Sequence, residues 1–356
     1  MNLLKRLTAS VLSIAMLAGM TACSGQDKTW AAKTNEKTIP IGVYIYNEYV
    51  AYQTASTKVE DAAKPVLEQK VEDKDAATWI KEQALNYTKQ IFALDKKMKE
   101  LNLTLTEEET KEITSSANTQ WAQYGSTLEG YGIAKESYTM AYSEVAMKSN
   151  KVFEAIYGKG GTMEVSDAQL KEFFERNYTD FSYVLIPLYD PNTYAPLEEA
   201  TETEYKKFLE DQAAALNKGS TTFAATAEAT KQKLKLDYAP TQDVTTFLNE
   251  ESGYPIELVT MINGMKVGEA KTITLTASQA CVLVIKNDAT KKTAAQLADA
   301  STRDQVLKDM KQTEFIDTLT TEANALTNVT VNQKALDSYQ PSMFVTKDNG
   351  SSSSAE

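Results

Sequence analysis

The chain of 356 residues contains no histidine, and that absence limits the chemistry it can do. A Ser–His or Cys–His nucleophile pair cannot be built without an imidazole. A histidine-ligated zinc site is equally impossible, and one cysteine to spare does not make a thiolate site. No phosphate loop or dinucleotide fingerprint stands at a strand–helix junction. Carboxylates remain, clustered at Glu107–Glu109 and at Glu198–Glu199. Both clusters fall at expected helix starts, where negative charge complements the helix dipole, so they read as solvated helix ends. Carboxylate-only catalysis and calcium binding stay open on these grounds alone, and no cofactor is expected.

The two cysteines, Cys23 and Cys281, read differently. Lys5 and Arg6 precede a short apolar run, "LTASVLSIAMLAG", too brief for a membrane span. Small residues then lead to Cys23, and "CSG" opens a polar stretch. The pattern is that of a bacterial lipoprotein signal over residues 1–22, cleaved before a lipid-bearing Cys23, with residues 23–29 as a tether. A lipid at Cys23 would hold the protein on the outer face of the cell membrane without a spanning helix. Cys281 would then have no disulfide partner; within "ACVLVIK" it reads as a small buried apolar residue. Without residues 1–22 the chain would keep 334 residues, with 35 basic and 49 acidic side chains and a net charge of −14. Such a surface repels phosphate backbones, so nucleic acid is not an expected partner.

The elements that position these residues follow from periodicity and capping. A short strand is expected near Trp30–Lys33 and a helix from about Val43 carrying Tyr44, Tyr46, Tyr49 and Tyr52, which cannot all share one face. Residues 58–74, with "KVED" twice, read as an exposed loop. Ile80, Ala84, Tyr87, Ile91, Leu94, Met98 and Leu101 alternate steps of four and three, one apolar stripe along a helix of about seven turns. Thr106 with Glu109 forms a capping-box pattern for a helix that "QYGSTLEGYG" is expected to break. Another helix spans about 134–157, and Ser166 with Gln169 caps a short one. "FSYVLIPLYD" is a buried strand. Beyond it, Thr201 with Glu204 is expected to cap a helix, and residues 181–290 read as β–α–α–α–β–β. A long helix over about 302–326, with Val306, Leu307, Met310, Phe315, Ile316 and Leu319 apolar, is expected to pack back on the N-terminal helices. "KDNGSSSSAE" is too polar to fold.

This order of elements resembles the PrsA/SurA-type extracytoplasmic foldases. The strings that carry the resemblance are "TWIKEQALNYTKQIFALDKKMKEL", "VSDAQLKEFFERNYTDFSYVLIPL", "YPIELVTMINGMKVGEAKTI" and "ACVLVIKND". It implies an α+β chain in which a discontinuous helical chaperone domain, built from N- and C-terminal segments, holds an inserted parvulin-like domain. The corresponding boundaries are 30–178 for the N-terminal helical part, 179–290 for the parvulin-like domain, 291–340 for the returning helix and strand, and 341–356 for a disordered tail. The histidines of the family fall at Tyr183 and at Cys281 or Val282, so family catalysis does not transfer to these positions. Tyr183 and Cys281 remain pocket candidates without an assigned catalytic role. The implied function is a membrane-anchored folding factor that binds unfolded or nascent secreted polypeptides. Two alternatives stand beside it: an active peptidyl-prolyl cis-trans isomerase with an atypical pocket, and a non-enzymatic surface lipoprotein that binds one specific partner.

Overall fold

A computed structural model describes residues 27–190, 193–250 and 252–345. The expected signal segment, Cys23 and the serine-rich end lie outside the described residues. In chain order the elements are β1 (Trp30–Lys33), β2 (Thr38–Pro40), α1 (Ile41–Lys58), β3 (Lys70–Val71), β4 (Lys74–Asp75), α2 (Ala76–Glu100) and α3 (Glu107–Gly130). Then come α4 (Lys135–Tyr138), continued by a π-helical stretch, α5 (Val145–Tyr157), α6 (Asp167–Asn177), β5 (Tyr178–Pro187), α7 (Glu199–Asn217), α8 (Phe223–Leu234), β6 (Thr241–Phe247) and α9 (Ile256–Asn263). The last are β7 (Ala270–Leu275), β8 (Ala280–Asn287), α10 (Thr293–Ala298), α11 (Ala300–Ala325), β9 (Thr330–Val331) and α12 (Gln333–Leu336). The fold class is α+β.

The chain forms two compact units. The first takes the described residues within Met1–Lys89, Ser115–Tyr142 and Thr327–Glu356; the second takes Gln90–Thr114 and Ser143–Leu326. In the first unit β1 lies between β2 and β9, antiparallel to both, so the last strand of the chain completes a sheet begun by the first. Ile45, Leu128, Ile133 and Tyr138 are buried around α1, with Tyr46, Tyr49, Tyr52 and Trp121 packed against them. Tyr44 faces another way and is buried with Ala31, Ala84 and Leu336. Gly42 lets α1 approach α4, since a Cβ there would stand 2.6 Å from the Ser137 hydroxyl oxygen.

Several expectations need correction here. α3 does not stop at Gly125; it runs to Gly130. The glycine serves packing instead of chain reversal, because the Trp121 indole lies over it, 2.6 Å from where a Cβ would be. The expected loop over 58–74 contains a 3-10 turn, and β3–β4 opens a small hairpin at its end. Glu198, with no side-chain cap, precedes α7, so the helix begins before Thr201 and Glu204. The tail does not begin at 341: Pro341–Phe344 form a 3-10 turn with Phe344 buried. Its ring meets Tyr49, Tyr52 and Tyr131 at centroid distances of 5.6, 6.0 and 5.1 Å, and that aromatic burial outweighs the polar sequence around it.

The second unit is built on α11. Its Val306, Leu307, Phe315 and Leu319 share one core with Leu94 and Met98 of α2, Val152, Phe153 and Tyr157 of α5, and Leu170 and Phe174 of α6. Phe153 and Phe315 meet edge to face at 5.5 Å. Around this interior, Gln90 Nε2 donates to Thr320 Oγ1 at 2.8 Å, and Lys97 pairs with Glu322 at 2.6 Å. The capping box at Ser166 and Gln169 forms as its spacing predicts, as does the reciprocal pair at Thr106 and Glu109.

A four-stranded antiparallel sheet, in the order β6-β5-β8-β7, completes the second unit. One face packs on α9 through Phe181, Leu258, Val259, Ile262, Val282 and Val284. The other packs on α7 through Ile186, Leu188, Leu209, Cys281 and Leu283. β6 is a strand that the expected β–α–α–α–β–β order lacks; the observed order is β–α–α–β–α–β–β. Its sequence, TQDVTTF, is too polar to announce a buried strand, and it forms because β5 supplies seven consecutive partners.

Two consequences are testable. Phe315→Ala removes a fully buried ring and is expected to cost about 3–5 kcal/mol, whereas Ile316→Ala, on the 46% exposed neighbour, is expected to cost under about 1 kcal/mol; urea midpoints of the two variants check this. Glu48 supplies a pH dependence. Both its carboxylate oxygens are buried without a hydrogen-bond partner. Burial, opposed weakly by Lys81, pushes its pKa up to about 7. Below about pH 4.5 the folded and unfolded states both hold the proton and burial of the ionised form costs nothing. As pH rises to 7 the unfolded state releases the proton first, and stability falls by about 3 kcal/mol in total. Glu48→Gln is expected to abolish that loss, giving a midpoint at pH 8 above that of the parent and one at pH 4.5 close to it.

Candidate functional site

β5 carries Tyr183, and the register decides what it can meet. Tyr183 stands opposite Gln242 of β6 and Val284 of β8. Side chains two apart on a strand share a face, so Phe181, Tyr183 and Leu185 project together toward the α9 side. Phe181 is fully buried there, against Tyr254 at 5.8 Å. Tyr183 is half-buried, and Leu185 is 36% exposed. The helix therefore covers one end of the face and leaves the other open. Tyr183, Ile273, Met261, Tyr254 and Val244 are partly buried against the core that α9 covers, and Ile256 of α9 is exposed.

The Tyr183 hydroxyl donates to Gln242 Oε1 at 2.7 Å. Burial, with the neighbouring Tyr254, raises its pKa further above the ordinary value, so it stays protonated near neutrality and cannot act as a base. Two lysines share this face by pairing. Lys286 stands opposite Phe181, and its ammonium donates to the Ile262 carbonyl at the end of α9, 3.0 Å away. Burial lowers its pKa from the usual lysine value. Lys271, opposite Val284, is paired with Glu269 at 3.2 Å. The face can thus receive an apolar or aromatic group beside a hydroxyl already bonded to Gln242.

The structure separates the two pocket candidates. Cys281 stands opposite Ile186 and Thr274, on the α7 side of the sheet, where it is 2% exposed. Burial pushes its thiol pKa up, the setting of an inert structural cysteine. Tyr183 and Cys281 lie on opposite faces of one sheet and cannot line one pocket. Val282, opposite Leu185 and Ile273, is the residue of β8 that shares the face of Tyr183. Cys23 lies outside the described residues. Among those residues no group of three or more metal-ligating side chains comes together, and no helix is long and apolar enough to cross a membrane.

A second feature was not anticipated from the sequence. Between β6 and the α10–α11 segment lies a cleft of about 630 Å³, lined by Thr245, Thr246 and Phe247 on one side and Gln296, Gln305 and Asp309 on the other. Its floor is Tyr178, whose hydroxyl donates to Asp309 and whose ring stacks on Phe247 at 6.2 Å. The signal for it lay in a polar strand flanked by glutamine-bearing helices, a pattern that does not distinguish a cleft wall from an ordinary surface.

No family model and no curated protein matches this sequence. Among solved structures, the chain is similar to the foldase PrsA of Lactococcus lactis, with 14% identity and a TM-score of 0.35 over 88% of this chain and 97% of that one. PrsA of Streptococcus pneumoniae is similar at 16% identity and a TM-score of 0.37, over 76% of this chain and 94% of that one. A SurA-like chaperone of Campylobacter jejuni is similar at 13% and 0.25, over 85% and 98%.

The hydroxyl of Tyr183 is tied to Gln242, and a protease-coupled assay on Xaa–Pro peptides, read against the uncatalysed relaxation of tens of seconds or longer, measures whether it acts on that relaxation time. Tyr183→Phe is expected to leave that time unchanged and to cost about 0.5–1.5 kcal/mol of stability, from the lost hydroxyl hydrogen bond.

Proposed function

We propose that this protein is an extracytoplasmic folding factor, held on the bacterial membrane by a lipid on Cys23, that binds unfolded or nascent secreted polypeptides without isomerase catalysis. The observation that carries this reading is the partly uncovered apolar face of β5. α9 seals Phe181, while Tyr183 is half-buried and Leu185 is exposed. Such a face recognises apolar side chains in general, because apolar burial has no directional requirement. At roughly 25 cal/mol per Å², covering about 100 Å² on one client side chain contributes about 2.5 kcal/mol, less the cost of ordering the client. Single contacts of that size are weak, and a holding factor has to release what it binds. The net charge of −12 over the full sequence keeps the protein itself soluble around its exposed apolar groups.

The lipid anchor rests on the sequence alone: a basic start, a short apolar run and small residues before Cys23. Globomycin-sensitive processing and palmitate labelling that vanishes in Cys23→Ser test it. Client binding is tested by diluting a chemically denatured protein into buffer with and without a several-fold excess of the folding factor. Light scattering is expected to rise several-fold more slowly in its presence. The variant Leu185→Ser, at a 36% exposed position, is expected to lose at least half of that protection while its unfolding free energy, from a urea titration, stays within about 1 kcal/mol of the parent. Undiminished aggregation with the parent protein sinks the proposal and leaves the specific-partner reading in its place.

A further inference from the structure

We infer that the outer edge of β6 is a second client site, which pairs with an extended, neutral or basic stretch of unfolded polypeptide by backbone hydrogen bonds inside the cleft beside α11; this rests on the folding-factor reading and deepens it. β6 is an edge strand: β5 occupies one side, and among the described residues no strand occupies the other. Alternate residues of an edge strand turn their N–H and C=O groups outward. Among the described residues, no backbone group outside the sheet bonds to those of Gln242–Phe247.

Edges of natural sheets are usually blunted by lysine, proline or a bulge. β7, the other edge of this sheet, carries Lys271. β6 carries no basic residue, no proline within it and no break in its pairing with β5. Its one charge, Asp243, is turned to the sheet, where it accepts from the Ser182 hydroxyl. The strand is held firmly from that side: Thr245 Oγ1 donates to buried Asp180 at 3.1 Å, and Lys292 pairs with the same carboxylate at 2.8 Å. The edge is therefore fixed in place and unguarded.

The cleft gives that edge a size and a preference. One added strand residue needs about 3.3 Å of length, about 4.8 Å of spacing and about 10 Å of sheet thickness. A cleft of about 630 Å³ then accommodates about four residues. The far wall offers the amide of Gln296, which can both donate and accept, and the carbonyl of Gln305, whose Nε2 already donates to Asp309 Oδ1 at 2.7 Å. Its charged lining residue is Asp309, so an acidic segment is disfavoured. Backbone pairing reads no particular side chain, which is the specificity a binder of unfolded chains requires.

The test uses a fluorescein-labelled hexapeptide of alternating valine and threonine flanked by lysines, and the same peptide N-methylated at alternate backbone amides. Fluorescence anisotropy is expected to show the parent peptide binding at least tenfold more tightly than the methylated one. Gln305→Trp, which fills the cleft from an exposed position on α11, is expected to weaken the parent peptide at least tenfold. Amide hydrogen exchange over Thr245–Phe247 is expected to slow on binding, and this holds even if the tryptophan variant proves unstable. Equal binding of both peptides, or unchanged exchange at β6, overturns the inference. Concentration-dependent dimerisation that Gln305→Trp abolishes also overturns it, because a second copy of the chain is then the occupant. If aggregation is still suppressed while the peptide fails to bind, the edge site falls and the folding-factor reading stands; if the peptide binds and aggregation is not suppressed, the reverse holds.

Discussion

The second unit depends on apolar contact between α11 and helices far earlier in the chain. Phe315 reaches the ring of Phe153, and Tyr157 donates to Glu314, a pair 157 residues apart in sequence. Closing so long a loop costs chain entropy, although the cost grows only logarithmically with length. The return comes from burying whole aromatic and aliphatic side chains of α2, α5, α6 and α11 in one interior. This interior gathers segments from both sides of the sheet in sequence, and the sheet belongs to the same compact unit. The polar links at the rim, Gln90 to Thr320 and Lys97 to Glu322, fix register and contribute little beyond it.

Two buried acids show how differently this chain treats a carboxylate. Asp180 is 2% exposed, yet it accepts from Thr245 and pairs with Lys292. Its charge is compensated, and the arrangement ties β6 and the segment after β8 to β5. Glu48 is fully buried in α1 with neither oxygen bonded. A lone buried charge costs more than a neutral acid in the same place, so Glu48 keeps its proton to a higher pH than an exposed glutamate would. One acid organises the sheet, and the other makes the first unit less stable as the solution becomes neutral.

Helices with a long apolar stripe were readable from spacing alone. The steps from Ile80 to Met98 lie on α2, and those from Val306 to Leu319 lie on α11, because one-sided burial leaves a period of 3.6 in the sequence. The two capping boxes were readable because they are local. β6 was not, since a strand held by its partner through polar residues leaves no apolar alternation. Gly125 was misread for a related reason: a glycine making room for Trp121 looks, in sequence, like a glycine ending a helix. Phe344 lay in a polar stretch whose burial depends on tyrosines more than two hundred residues earlier. The placement of Tyr183 and Cys281 on opposite faces needed the strand register, and a shift of one residue would have reversed it.

The absence of histidine then gains a physical context. A catalytic pocket has to hold titrating groups in a fixed relation to one reacting atom. On the Tyr183 face each such group is already engaged, Tyr183 with Gln242, Lys286 with the Ile262 carbonyl and Lys271 with Glu269, and Phe181 supports it from below as packed apolar surface. On the proposed reading, the sheet offers two kinds of attraction that do not depend on a client's sequence: apolar burial on its α9 face, and hydrogen bonding along the edge of β6. They draw on different parts of an unfolded chain, its side chains and its backbone. A segment too polar for the face could still pair with the edge, and one kept from the edge by acidic side chains could still place an aromatic group on the face. Two weak and complementary sites on one rigid sheet would retain a wide range of unfolded chains while letting each segment leave quickly, whereas one tight pocket would select a few and release them slowly.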